Sequence, residues 1–217
     1  MKVLQAWNQR IYKFNGNTGY ANFSDKPDAK FLVAAQQFSF ANDTTPTFFL
    51  KGLDIESNAI VHVEGHVRLF LEQGMNLKGD AQFVIKPGST LTILTAGKIE
   101  ITNSGRFRTT EGGSEIPEGL VNGRPVLSIY SNYQSKSASD IGILLSGASS
   151  GLYAAIYSPA SHIKVTGSNN FRGSAIGKTL SVDGAGFIRY DQALKTVGSG
   201  SNSGPGNRPA RVGFGGF

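Results

Sequence analysis

Three short stretches decide the fold: Ile143-Leu144-Leu145-Ser146-Gly147, Ile163-Lys164-Val165-Thr166-Gly167 and Leu180-Ser181-Val182-Asp183-Gly184. Each reads apolar, any residue, apolar, polar, glycine. Successive side chains leave a β-strand on opposite sides, so this alternation marks a strand with one buried face. The first two stretches lie 20 residues apart and the second and third 17. At the 20-residue offset Ala155-Ile156 aligns with Ala175-Ile176, and at the 17-residue offset Phe171 aligns with Ile188. A repeat this short excludes a βαβ unit or a propeller blade and fits one coil of a parallel β-helix. Inward aliphatic side chains then stack in columns, and glycine takes corners that need a positive φ or have no room for a Cβ. The unequal spacing predicts coils of unequal length, with small insertions at the corners.

The same alternation extends upstream. Val61, Val63, Val67, Leu69 and Leu71 alternate with polar residues, followed by Ala81, Phe83 and Ile85, then Leu91 and Ile93, then Ile99 and Ile101. Gly79, Gly88 and Gly97 punctuate these runs at nine-residue intervals. The solenoid is expected over residues 58–194, with about seven coils and a length near 35 Å at about 4.8 Å per coil. A loop around residues 105–133 is expected to leave it, with a strand returning at Pro125–Tyr130. Residues 1–57 read as an irregular N-terminal β cap or small β-module, with strands at Phe31–Phe40 and Thr47–Leu50. Residues 195–217 read as a flexible Gly/Ser-rich linker and a basic, aromatic tail. Its Arg208, Arg211, Phe214 and Phe217 are candidates for an assembly contact.

Composition narrows the function classes. With 28 glycines among 217 residues and only 17% charged side chains, the composition argues against a helical bundle. The net charge is +6, but Lys and Arg are scattered singly, which suits a mildly basic surface and not a nucleic-acid interface. The chain has no cysteine, which removes disulfides, thiolate metal sites and thiol nucleophiles. No run of 18 apolar residues is present to span a membrane, and the N-terminus lacks an apolar signal core. Either the chain stays inside the cell or a leader has been removed.

Candidate chemistry is sparse. His62, Glu64 and His66 share strand parity and point outward from Val61, Val63 and Val67. Two imidazoles and a carboxylate suit zinc, but residues two apart on a strand sit about 7 Å from one another, so a solvated outer face is the favoured reading. Asp80, Asp140, Asp183 and Asp191 fall on different coils and form no adjacent pair for glycan cleavage. Lys178-Thr179 lacks a P-loop context, and Ser146-Gly147-Ala148 lacks that of a nucleophile elbow. Phe70, Tyr130, Tyr133 and Tyr153 are candidate outward aromatics for sugar or protein contact.

Residues 152–194 carry a recognisable order of motifs. Tyr153-Ala154-Ala155-Ile156-Tyr157-Ser158-Pro159-Ala160 comes first, then Gly167, then Phe171-Arg172-Gly173-Ser174-Ala175-Ile176-Gly177-Lys178. Gly184-Ala185-Gly186 and Tyr190-Asp191-Gln192-Ala193-Leu194 close the series. This stretch resembles the β-helical C-terminal domain of PilX-type pilus-assembly and related bacterial envelope proteins. It departs from them at Ala154, where the family often has glycine, and in lacking the N-terminal membrane helix they usually carry. The resemblance implies a right-handed parallel β-helix, an envelope or extracellular setting and no known catalytic residues; a cytoplasmic setting stays open. Tyr153, Ile156, Tyr157, Pro159, Gly167, Phe171, Gly173, Ile176, Gly177, Gly184, Tyr190 and Asp191 are the residues that define the motif.

The expected function is therefore a non-catalytic structural or adhesive surface protein without cofactor, self-assembling or associated with a filament. Its expected partners are further copies of itself or other envelope proteins. A glycan-binding module using outer-face aromatics is the alternative, and a polysaccharide lyase or hydrolase ranks below it.

Overall fold

The computed structural model describes residues 11–15, 20–24, 47–147 and 151–196. Strands β1 (Ile11–Asn15), β2 (Tyr20–Ser24) and β3 (Thr47–Leu50) form the first coil. The second is β4 (Gly52–Glu56), β5 (Ile60–Glu64) and β6 (His66–Leu71), and the third is β7 (Gly74–Leu77), β8 (Gln82–Ile85) and β9 (Thr90–Thr95). The fourth starts with β10 (Lys98–Ile101) and β11 (Arg106–Arg108). It is then interrupted by a loop carrying the antiparallel hairpin β12 (Leu120–Val121) and β13 (Arg124–Pro125), and completed by β14 (Leu127–Ser131). Strands β15 (Ile141–Gly147), β16 (Leu152–Gly167), β17 (Asn170–Gly184) and β18 (Phe187–Tyr190) finish the stack, and a 3-10 turn at Gln192–Thr196 follows.

Apart from that hairpin, every pairing described is parallel, and the strands stack as three ladders. Ladder 1 contains β1, β4, β7, β10, β15 and the second halves of β16 and β17. Ladder 2 contains β2, β5, β8 and β11. Ladder 3 contains β3, β6, β9, β14, the first halves of β16 and β17, and β18. The all-β, solenoid-like architecture expected from the repeat is thus present. The ladders also reach upstream of residue 58, because β1 to β4 occupy the same ladders as the later strands. The expected strand at Phe31–Phe40 and the tail at 197–217, with Arg208, Arg211, Phe214 and Phe217, lie outside the described residues.

Register explains the repeat. On ladder 1, Leu53, Met75, Ile99, Ile143, Ile163 and Leu180 align in one inward column. Ile55, Leu77, Ile101, Leu145, Val165 and Val182 align in the next. On ladder 3, Phe48, Leu69, Ile93, Ile129 and Ile156 do the same, and on ladder 2 Val61, Phe83 and Phe107. The Phe83 and Phe107 rings stack at 5.1 Å, 6° from parallel. Each such buried side chain contributes about 1.5–3 kcal/mol relative to exposure in water.

Three sequence expectations change. First, Ala155 pairs with Ser174 and Ile156 with Ala175, not Ala175 and Ile176. A register shift between Ser158 and His162 turns one long strand from ladder 3 to ladder 1, so its two halves carry different offsets. Second, the short coils do not arise from corner insertions. Ladder 2 ends at β11, so later coils have two sides instead of three. The step along ladder 1 is 24 residues from Met75 to Ile99 and 44 from Ile99 to Ile143 across the coil that carries the loop, then 20 and 17 once ladder 2 is gone. The interior narrows accordingly: Ala154 and Gly173 follow Leu127 in one inward column of ladder 3, and Ser131 and Ser158 follow Thr95 in another. Third, the loop begins at residue 109, since Arg106–Arg108 still belongs to ladder 2.

The corner glycines have a steric cause at Gly167. It sits at φ +77°, and a Cβ there would lie 2.8 Å from the Gly147 carbonyl oxygen. Gly147, Gly167 and Gly184 stack in register, so one coil's corner leaves no space for a side chain on the next.

Candidate functional site

The loop between β11 and β14 lies over the side that ladder 2 vacates. Gly112 N–H donates to Gln82 Oε1 at 3.3 Å, Val126 N–H to the Gly119 carbonyl at 3.1 Å, and Thr109 Oγ1 to Glu115 Oε2 at 3.0 Å. Glu118 pairs with Arg172 of β17. Beneath this loop is a cleft of about 650 Å3, whose polar lining includes Lys86, Ser89, Thr109, Glu115, Glu118 and Arg172 over a floor of Ile85 and Val126. Its cations face carboxylates: Lys86 pairs with Glu64 at 2.9 Å and Arg172 with Glu118.

A second polar cluster secures the residue 132–140 loop. Asp140 takes hydrogen bonds from the Lys136 N–H at 2.8 Å and from the Tyr133 hydroxyl at 2.8 Å, and pairs with Lys98 at 2.7 Å. The Lys136 amide first, then Lys98 and Tyr133, hold the Asp140 carboxyl far below the ordinary carboxylate range. The Tyr133 phenol is raised, chiefly by its bond to Asp140, and the Lys98 ammonium is raised for the same reason. All three groups are mutually satisfied, so the cluster reads as a clamp on the loop.

The His62, Glu64, His66 constellation does not converge. Gly65 has φ +78° and makes a corner, which puts His62 and Glu64 on ladder 2 and His66 on ladder 3. His66 Nδ1 hydrogen-bonds Thr90 Oγ1 at 2.8 Å, Glu64 pairs with Lys86, and His62 lies 3.7 Å from Glu111. Burial first, and then Lys86, lower the His62 imidazole against the opposing pull of Glu111. Among the described residues no cluster of three metal-ligating side chains occurs. Asp140, Asp183 and Asp191 are engaged separately, by Lys98, Lys164 and Tyr153.

The motif residues of 152–194 divide by role. Ile156 and Phe171 are buried in the core, and Tyr153 is buried beside the loop. Gly167, Gly173 and Gly184 are positive-φ positions, and Gly177 packs against Ile163. Asp191 accepts the Tyr153 hydroxyl at 2.7 Å and the Ala193 N–H at 2.9 Å where the last coil closes. Tyr157, Ile176, Pro159 and Tyr190 are exposed. Of the four expected outward aromatics, Phe70 and Tyr130 face solvent, Tyr133 is half-buried with its hydroxyl on Asp140, and Tyr153 is buried.

The structure adds a surface the sequence did not reveal. In the outward register of ladder 3, Phe49, Phe70, Leu94, Tyr130, Tyr157 and Ile176 align on six successive strands. The steps between them vary from 19 to 36 residues, so no constant period in the sequence points to the column.

The far end of the stack is the other unusual feature. Leu180 and Val182 continue the core columns of Ile163 and Val165, which are 1% and 0% exposed, yet they are 42% and 40% exposed themselves. Phe187 and Tyr190 are also exposed there.

Fold and surfaces together define a parallel β-solenoid-like protein with one covered flank, one apolar outer column and one end that no other described residue covers. The chain belongs to the family described as Domain of unknown function (DUF7305), whose model matches residues 24–197. No curated protein and no solved structure matches it. The family match carries no link to PilX-type proteins. No helix among the described residues is long and apolar enough to cross a membrane.

Proposed function

We propose that this chain is a non-catalytic structural and adhesive module of the cell envelope, built as a right-handed β-helix, that assembles end to end with further copies. The exposure of Leu180 and Val182 carries the proposal. These are core positions by register, and a further coil would bury them as Ile163 and Val165 are buried. Among the described residues, the second half of β17 and β18 also end their ladders with unpaired edges, which recruit further strands. Strands β1 and β3 begin the same two ladders at the opposite end. Because the ladders are parallel, head meeting tail continues them in the same direction. Two identical ends can meet only antiparallel. Head-to-tail contact is heterologous and grows a filament. The resemblance of residues 152–194 to PilX-type envelope proteins supports the cellular setting.

Negative-stain electron microscopy with light scattering tests this directly. The wild-type chain is expected to form rods or fibres whose mass rises with concentration, and Leu180→Lys/Val182→Lys is expected to yield a monomer. A wild-type chain that stays monomeric at every concentration overturns the proposal.

A further inference from the structure

The outward side of ladder 3 differs in kind from that of ladder 1. On ladder 1 the outward register runs Asp54, Asn76, Glu100, Leu144, Lys164 and Ser181, polar at every step but Leu144, and Asn76 donates to Asp54 at 2.6 Å. That is an ordinary solvated face. On ladder 3 the column from Phe49 to Ile176 is apolar or aromatic at every step. Tyr130, Tyr157 and Ile176 are 41%, 48% and 55% exposed. The Phe49 and Phe70 rings lie 5.4 Å apart and the Tyr130 and Tyr157 rings 6.4 Å.

Two neighbouring registers complete the surface. Next to the column run Arg68, Thr92, Ser128, Ala155 and Ser174, which are small or hydroxylated apart from Arg68. Beyond them Thr90, Val126 and Tyr153 are buried, and the loop reaches this flank through the Glu118–Arg172 pair. A floor of small side chains therefore separates the loop from the aromatic ridge.

We infer that this track binds a linear, neutral polysaccharide lying along the solenoid axis. Coils step by about 4.8 Å, so five steps from Phe49 to Ile176 span roughly 24 Å. The step is close to the rise of one sugar in an extended chain, so successive sugars meet successive rungs in equivalent ways. A pyranose has an apolar C–H face and a polar edge. The ridge offers aromatic and aliphatic surface to the first, and the half-buried Thr92 and Ser174 hydroxyls offer donors and acceptors to the second. Arg68 is the only charged residue in the two registers, so the chain's overall charge of +6 is not concentrated here to select an anionic polymer. A protein partner would be expected to find a wider apolar patch than a column one residue across. This inference does not depend on end-to-end assembly.

Affinity electrophoresis of the full chain through gels holding hydroxyethylcellulose, xylan, glucomannan or laminarin is the test. Retardation by at least one of these is expected. Tyr130→Ala/Tyr157→Ala is expected to weaken it about tenfold, with an unchanged urea midpoint because both rings are exposed. Tyr157→Phe is expected to retain binding, since the ring surface is preserved. No retardation by any of the four, or retardation untouched by the double substitution, overturns the inference. A dimer abolished by the same substitution, without glycan retardation, overturns it too and assigns the column to a second copy.

Discussion

Tyr153 donates its phenolic hydrogen to Asp191 at 2.7 Å across 38 residues of sequence, tying the first half of β16 to the turn that closes the last coil. The Asp191 N–H in turn donates to the Gly173 carbonyl at 2.9 Å on the intervening strand. Burial and this bond raise the Tyr153 phenol, while Tyr153 and the Ala193 amide lower the Asp191 carboxyl.

Alkaline stability follows from the raised phenol. Tyr153 binds its proton more tightly when folded, so this contribution is complete below the ordinary tyrosine range near about 10 and is lost as pH rises towards the folded value. Phenolate absorbance during a pH titration is expected to show Tyr153 still protonated when exposed tyrosines ionise, beside the more modestly raised Tyr133. Tyr153→Phe is expected to remove the last-ionising tyrosine and cost about 1 kcal/mol in urea unfolding at neutral pH.

Acid behaviour follows from Asp140. Its carboxyl is depressed, so its contribution is present above the ordinary carboxylate range and is lost only as pH falls through the lowered folded value. Carboxyl titration by NMR is expected to find Asp140 ionised where exposed carboxylates are already protonated. Asp140→Asn is expected to raise amide exchange in residues 132–140 at neutral pH and leave the β4–β9 strands unchanged.

Two glycines with similar φ separate conformational strain from steric contact. Gly88 has φ +78° with nothing within 4 Å of a built Cβ, whereas Gly167 has φ +77° with the Gly147 carbonyl oxygen at 2.8 Å. Gly88→Ala is expected to cost about 1 kcal/mol from φ alone. Gly167→Ala is expected to cost about 2–5 kcal/mol because the coil below must also move. Urea midpoints of the two variants check the difference.

Phe107 closes ladder 2 and is 1% exposed against Phe83. Phe107→Ala is expected to lower stability by about 3–5 kcal/mol, read from urea unfolding. Because the loop rests over this end of ladder 2, the same variant is expected to increase proteolysis within residues 109–126.

The sequence by itself determined the fold class. Alternation at Ile143–Leu145, Ile163–Val165 and Leu180–Val182, each ending in glycine, identified strands that do stack in that register, because a two-residue period and a crowded corner are local constraints. Tertiary structure decided the number of sides and the surfaces. The turn of β16 between ladders depends on the loss of ladder 2, a packing event among strands distant in sequence, which is why Ala155 pairs with Ser174 and not with Ala175. Likewise Phe49 and Ile176 join one column only because each coil restarts at the same corner whatever its length. Local periodicity does not encode that length, and the outer surface depends on it.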